Sequence, residues 1–346
     1  MTPKAKIKIK RLLIRSTNWI GDAVMTTPAV RAIRHNFPDA HISMLAKPWV
    51  APVFAHSPQV DEIIIYQANG RHRGIGGTIR LARDLRAYRF DAAILLQNAI
   101  EAALIAFMAG IPNRIGFDTD VRRLLLTHPV RCTRAIKTIH QTGYYLKMLE
   151  GAGLVTGPPT LELSLNPADQ ERAGQLLADL GIAPTSRLIG LNPSATFGPA
   201  KQWFPQRYAA LGDRLHRDLD ATILIFGGPS DRELGRTISS LMTAPAIDLS
   251  GRTSLGEAIA VIDRCHAFVT NDSGLMHVAA ALDTPLVAIF GSTNFITTSP
   301  FSDTSRIVRV PIECSPCLQP VCPLGHHNCM KRVSVDMVLD ALQEML

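Results

Sequence analysis

Aromatic residues are scarce, 6% of the chain, which leaves little for stacking the successive bases of a nucleic acid. No helix-turn-helix, RNP or zinc-finger spacing accompanies the basic charge, so no nucleic-acid partner is expected. No uninterrupted apolar run approaches the roughly 20 residues that span a bilayer. The start, MTPKAKIKIKRLLIRS, is basic, but the apolar stretch after it is short and ends in a polar turn. It lacks the long h-region of a secretory leader, and a cytoplasmic location is the expectation. No G-x-G-x-x-G joins a first strand to its helix, which argues against a nicotinamide-dependent dehydrogenase. No low-complexity tract or short-period repeat is present.

What is there is an α/β pattern, long enough at 346 residues for two domains. Strand-like runs at 8–16, 41–46, 60–66 and 91–96 alternate with helical patterns at 22–36, 48–56, 76–88, 100–109 and 137–151. Residues 152–168, AGLVTGPPTLELSLNPA, lose the helical period and read as a linker. The scheme then repeats, with strands at 188–192, 221–226, 246–248, 267–270 and 286–290. Helices are expected at 167–180, 205–217, 230–243, 254–263 and 274–282. This alternation predicts βαβ units and parallel sheets. The expected domains are 1–160 and 161–333, two Rossmann-like doubly wound halves facing across a ligand cleft at the strand carboxyl ends. Residues 334–346 form a terminal amphipathic helix that suits packing on either half. Charge is uneven: residues 1–165 hold 22 Lys and Arg against 11 Asp and Glu, residues 166–346 hold 14 against 18. The first half is therefore expected to meet something anionic, or else to carry a solvated basic surface.

The candidate site segments all follow strands. In Ser16-Thr17-Asn18-Trp19-Ile20-Gly21-Asp22, Gly21 permits a tight turn and Asp22 falls at a helix start. There it reads either as an N-cap or as a catalytic carboxylate kept ionised by the helix dipole. Asn192-Pro193-Ser194 through Lys201-Gln202-Trp203 is a small, hydroxyl-bearing loop with one cation, suited to a phosphate or simply to solvent. Gly227-Gly228-Pro229-Ser230-Asp231-Arg232-Glu233 allows close approach of a nucleotide, with an acid for ribose hydroxyls, or is an ordinary turn. Asn271-Asp272-Ser273-Gly274-Leu275-Met276-His277 opens a helix whose N–H groups suit a pyrophosphate. Asp272 or Ser273 would also cap that helix.

Together these segments resemble the ADP-heptose:lipopolysaccharide heptosyltransferases of glycosyltransferase family 9, over essentially the whole chain. WIGDAVMTTPAVRAIRHNFP, NPSATFGPAKQWFP and FVTNDSGLMHVAAAL followed by PLVAIFGSTN carry the resemblance. The tail from Cys314 to Met330 looks most like the heptosyltransferase II branch. The resemblance implies a GT-B fold and inverting transfer of L-glycero-D-manno-heptose from ADP-heptose to the first heptose of the lipopolysaccharide inner core. Heptosyltransferase I, or another ADP-sugar transferase of the family, is the alternative. Residues 1–160 would bind the acceptor, with Asp22 as base and Asn18, Trp19 and Gly21 beside it. Residues 161–333 would bind the ADP-sugar through Ser194, Lys201, Asp272, Ser273, Gly274 and His277, with Asp231 or Glu233 on the ribose. No cofactor is implied. The acceptor, a phosphorylated lipid A–Kdo–heptose, implies peripheral contact with the inner membrane. Lys4, Lys6, Lys8, Lys10, Arg71, Arg73, Arg122 and Arg123 are the cations expected to attract it.

Four of the six cysteines, Cys314, Cys317, Cys322 and Cys329, form C-x2-C-x4-C-x6-C with His326 and His327 in the last gap. Such a set reads as a structural zinc site, but the gap between the pairs is short for a zinc ribbon. A reduced structural loop with no metal is the other reading, and disulfides do not suit a reducing cytoplasm.

Overall fold

The computed structural model describes residues 9–346. The chain divides into two compact units, Met1–Pro159 and Thr160–Leu346.

In the first unit, β1 (Arg11–Arg15), β2 (His41–Ala46), β3 (Glu62–Ile65), β4 (Ala92–Leu95), β5 (Asn113–Phe117) and β6 (His128–Val130) form one sheet. Its order is β3-β2-β1-β4-β5-β6, parallel throughout. The second unit holds β7 (Leu188–Asn192), β8 (Thr222–Ile225), β9 (Ala246–Asp248), β10 (Ala267–Asn271), β11 (Leu286–Ile289) and β12 (Ser305–Val308). Their order, β12-β11-β10-β7-β8-β9, is again all parallel and repeats the first topology. The strand order reverses between β1 and β4 in one sheet and between β7 and β10 in the other. Open α/β sheets bind ligands at the carboxyl ends of such strands.

The central strands are covered on both faces, so β7 and β10 are buried at every residue and read as apolar runs rather than alternations. Where β7 crosses β10, Gly190 pairs with Phe268. A methyl group there would fall 2.4 Å from the Phe268 ring and 3.0 Å from that of Phe226, so glycine makes room for the two rings to meet edge to face.

Several expectations need correction. The helix expected over 22–36 is two helices, Ile20–Met25 and Thr27–Asn36, because Pro28 supplies no N–H to a continuous helix. The stretch 48–56 forms only a 3-10 turn at Ala51–Val53, with Pro52 inside it. The 137–151 helix is interrupted at Ile139 and His140, which are extended, leaving Arg134–Thr138 and Gln141–Gly151. Strands β5, β6 and β12 were not expected. The terminal helix, Val335–Gln343, packs on helix Pro205–Leu219 and on β11 and β12.

Candidate active site

In the first unit the chain leaves β1 through Arg15, whose guanidinium is buried at 1% exposure. It donates to the Ser16 carbonyl (2.5 Å) and to Asn18 Oδ1 (2.9 Å), and it lies over the Tyr66 ring. The indole of Trp49 donates to the Asn18 carbonyl at 3.0 Å. Asn18 is thus clamped from both ends, and the turn it belongs to delivers Trp19, 60% exposed, to solvent. Burial pulls the Arg15 pKa down to about 10, against the opposing charges of Glu101 and Tyr66. Burial, reinforced by a 2.5 Å hydrogen bond to Glu101, pushes the Tyr66 phenol up to about 12.

Asp22 does not cap its helix. Trp19 holds the N-cap position without a side-chain bond, and Asp22 is the third helical residue. Its carboxylate is half-buried in the first turn, where exposed backbone N–H groups favour a negative charge. The Tyr145 phenol, fully buried on helix Gln141–Gly151, is pushed well up by that burial and further by the charge of Asp22. Tyr145 carried no signal in the sequence.

Arg122 also departs from expectation. Instead of facing solvent it is fully buried, donating to the carbonyls of Phe117 and Gln97 and to Asn98 Oδ1. It is a strut at the ends of β4 and β5, not a surface cation. Lys10, Arg71, Arg73 and Arg123 are exposed, with Arg71 paired to Asp84 and Arg123 near Asp118. Lys4, Lys6 and Lys8 lie outside the described residues.

In the second unit two asparagines, each ending a central strand, build the site. Asn192 Nδ2 donates to Thr270 Oγ1 at 2.9 Å and to Ser273 Oγ at 2.6 Å. Asn271 accepts from Trp203 N at 3.0 Å and donates to the Pro193 carbonyl at 2.7 Å. These bonds fasten both ends of the 193–203 loop to the end of β10. Lys201 Nζ, over the face of Phe197, meets Asp272 Oδ2 at 2.7 Å. With Ser273 and Asp272 so engaged, neither caps helix Gly274–Ala281: Ser273 sits at the N-cap without a side-chain bond. The N–H groups of the first turn therefore have no side-chain cap, and His277, 3% exposed, lies in that turn.

Ser194 joins this cluster through Asp231, whose Oδ2 accepts from Ser194 Oγ (2.9 Å) and Gly228 N (2.8 Å). Asp231 thus braces two loops. Glu233 is not drawn in; its side chain is 86% exposed beside Arg236. Asn192, Thr270, Asn271 and Trp203 lie at the ends of the candidate segments, but the sequence assigned them no role. A buried polar side chain closing an otherwise apolar strand is the signal that could have found the asparagines.

The set of a lysine, an uncapped helix start and hydroxyl-lined loops at a switch point has the chemistry to hold a phosphorylated ligand. The family model for glycosyltransferase family 9 (heptosyltransferase) matches residues 78–328. The chain belongs to glycosyltransferase family 9. A lipopolysaccharide heptosyltransferase 2 of Salmonella typhimurium is 32% identical, with 97% of this chain and 98% of that protein covered. Among solved structures, the Escherichia coli ADP-heptose lps heptosyltransferase II is similar with a TM-score of 0.81 and 28% identity. That match covers 97% of this chain and 98% of the other. A family 9 glycosyltransferase from Veillonella parvula has a TM-score of 0.88 at 26% identity, with 97% of both chains covered. The chain accordingly has the GT-B fold, two Rossmann-like α/β units, and is a glycosyltransferase of the heptosyl-transferring kind. Among the described residues no helix is long and apolar enough to cross a membrane.

Proposed function

We propose that this family 9 enzyme transfers L-glycero-D-manno-heptose from ADP-heptose to the first heptose of the lipopolysaccharide inner core, with inversion at the anomeric carbon. The observation that carries the reading is the Lys201–Asp272 pair beside the uncapped helix at Gly274, in a chain similar end to end to a heptosyltransferase 2.

The second unit holds the donor. Lys201 has three N–H donors, so it can keep Asp272 and still reach a diphosphate oxygen. The backbone N–H groups at Gly274 and Leu275 and the hydroxyls of Ser194 and Ser273 complete the anion's surroundings. As the bond to the sugar breaks, charge builds on the departing ADP. Preorganised donors stabilise that charge without reorganising. Asp231, fixed by Ser194 and Gly228, is the better placed of the two acids for a ribose hydroxyl, since Glu233 points to solvent.

The first unit holds the acceptor and the base. Asp22 takes the proton of the acceptor hydroxyl as that oxygen attacks the anomeric carbon from the side opposite ADP. A carboxylate is a weak base, which suffices when the sugar is already cationic at the transition state. Tyr145 stays a neutral phenol beside it and adds no competing charge. One carboxylate is enough because ADP leaves without a proton, unlike the paired acids of glycoside hydrolysis.

The acceptor is a phosphorylated lipid at the cytoplasmic face of the inner membrane. The exposed cations of the first unit, Lys10, Arg71, Arg73 and Arg123, draw the enzyme there, each basic group near an anionic surface being worth about 1 kcal/mol. Sedimentation with anionic vesicles checks this: binding that survives high salt overturns the electrostatic part.

The deciding experiment is product analysis with ADP-heptose and core acceptors carrying no heptose or one. Transfer to the one-heptose acceptor supports the reading. Transfer only to the heptose-free acceptor moves the enzyme to the heptosyltransferase I activity.

A further inference from the structure

The four cysteines of the tail line a small hollow as free thiols. Among the described residues no three His, Cys, Asp or Glu side chains are placed to hold a metal ion. A larger feature that the reaction leaves unused lies on the first unit. Ile75, the second residue of helix Gly74–Arg86, is 85% exposed, and Val121 and Leu124, at the 3-10 turn Arg122–Leu125, are 80% and 88% exposed. Helix Ile100–Met108 exposes Leu104 and Phe107. It packs on helix Gly74–Arg86 on one side and on the Arg122–Leu125 turn on the other. The Arg114 guanidinium lies over the Phe107 ring and donates to the Leu125 carbonyl at 2.6 Å, joining that helix to the turn. Apolar side chains exposed on contacting elements mark an interaction surface.

The fold imposes this exposure. Arg122 is drawn fully inward by the carbonyls of Phe117 and Gln97, and its neighbours are turned out. Val121 is held at φ +58°, the left-handed region in which a β-branched residue is strained. Strain of this kind persists where the surrounding structure enforces it, and it clusters at functional surfaces.

Cations frame the apolar face. Residues 71–86 hold five arginines, at 71, 73, 80, 83 and 86, against one acid, Asp84, which Arg71 engages. The exposed face of helix Gly74–Arg86 runs from Ile75 and Ile79 to Arg83 and Arg86, apolar first and then basic. Arg123 is exposed between Val121 and Leu124. Of the nearby acids, Glu101 is held by Tyr66, Asp118 lies by Arg123, and Asp120 is exposed.

We propose that this face docks on an anionic lipid bilayer, with Ile75, Val121 and Leu124 inserted where headgroups meet acyl chains and the arginines on the lipid phosphates. Apolar tips set among guanidinium groups match that boundary. A second copy of the chain is the poorer occupant, because an isologous contact sets a patch against itself and would oppose arginine to arginine. The proposal rests on the reading of the acceptor as a membrane lipid, and it adds apolar insertion to electrostatic attraction. Helix Gly74–Arg86 follows β3 and the Arg122–Leu125 turn follows β5. In an all-parallel sheet, Ile75 and the turn therefore lie at the same strand ends as Asn18–Asp22 after β1. Docking by this face brings the lipid's sugars to the end of the sheet that carries Asp22.

The test uses the full-length enzyme and vesicles of phosphatidylglycerol and phosphatidylethanolamine. Ile75→Ser and Leu124→Ser should each weaken vesicle partitioning by roughly tenfold, the scale of withdrawing one large side chain from an apolar environment, with the thermal midpoint unchanged. Emission from Leu124→Trp should be quenched by lipids brominated on their acyl chains more than that of the parent. Transfer to a deacylated, water-soluble one-heptose acceptor should be equal in parent and serine variants, while transfer to the same core on a lipid in vesicles should fall with the partitioning. Unchanged partitioning in both serine variants, no added quenching, or a dimer in solution that Leu124→Ser dissociates would each overturn the docking face. Inactivity of the parent on the soluble acceptor counts against the transfer reading instead, since partitioning and quenching are measured without acceptor.

Discussion

The ammonium of Lys201 lies 2.7 Å from a carboxylate oxygen of Asp272, two residues 71 positions apart in the segments that follow the adjacent strands β7 and β10. Both side chains are largely withdrawn from water, at 16% and 7% exposure. Breaking such a pair by removing one partner costs more than the pair contributes, because the other charge is left uncompensated.

Lys201→Ala should therefore do two things at once. Thermal or denaturant unfolding should show a loss of about 3 kcal/mol, part of which the double variant with Asp272→Ala recovers. Transfer should fall by roughly a hundredfold or more, the usual loss for one preorganised donor to a developing anion. Full activity in Lys201→Ala would exclude it from the donor site.

Asp22→Asn keeps the shape of the first turn and removes the base. Transfer should drop by about 10²- to 10⁴-fold, with ADP binding by calorimetry unchanged. Activity within a few-fold of the parent enzyme would remove Asp22 from the catalytic role.

Tyr66 makes stability depend on pH at the alkaline end. Its phenol is raised from 10 to about 12 by burial and by Glu101, so between those values the folded chain holds a proton that the unfolded chain has released. The stabilisation is complete below pH 10 and is lost as pH rises through about 12. The full displacement is worth about 3 kcal/mol. Tyr66→Phe should flatten this part of the unfolding profile relative to the parent; an identical slope in both proteins would refute it.

Gly190→Ala should destabilise the second unit by about 1–3 kcal/mol through overpacking, since the new methyl meets the Phe268 and Phe226 rings. Phe268→Leu in the same chain should restore part of the loss. Denaturant midpoints give both numbers.

In each sheet most interior strands and one edge, β3 or β9, were legible in the sequence, and the opposite margin, β5 with β6 or β12, was not. Strands β1, β2, β4, β7, β8, β10 and β11 are short apolar runs because helices cover both their faces. The unexpected strands differ: β5 reads Asn-Arg-Ile-Gly-Phe, β6 has only three residues including Pro129, and β12 begins Ser-Arg. Polar or Pro-containing segments at or near a sheet margin resemble loops until a neighbouring strand is present to pair with them. The candidate site segments stand out for a similar reason, since each is a polar, Gly-bearing stretch directly after an apolar strand. Their pairings were not. Nothing local to Lys201 points to Asp272, nor does Ser194 point to Asp231. Arg122 looked like a surface cation because its acceptors, the carbonyls of Phe117 and Gln97, become neighbours only once β4 and β5 pair.

The repeated strand order means that each unit closes a hydrophobic core drawn from its own residues, one cluster running from Leu13 to Leu126 and the other from Ile189 to Leu342. On the division of labour proposed above, sugar-nucleotide capture and acceptor choice are then separately heritable. A chimera that joins residues 160–346 to the first unit of a relative should keep its taste for ADP-sugars while adopting the relative's acceptor.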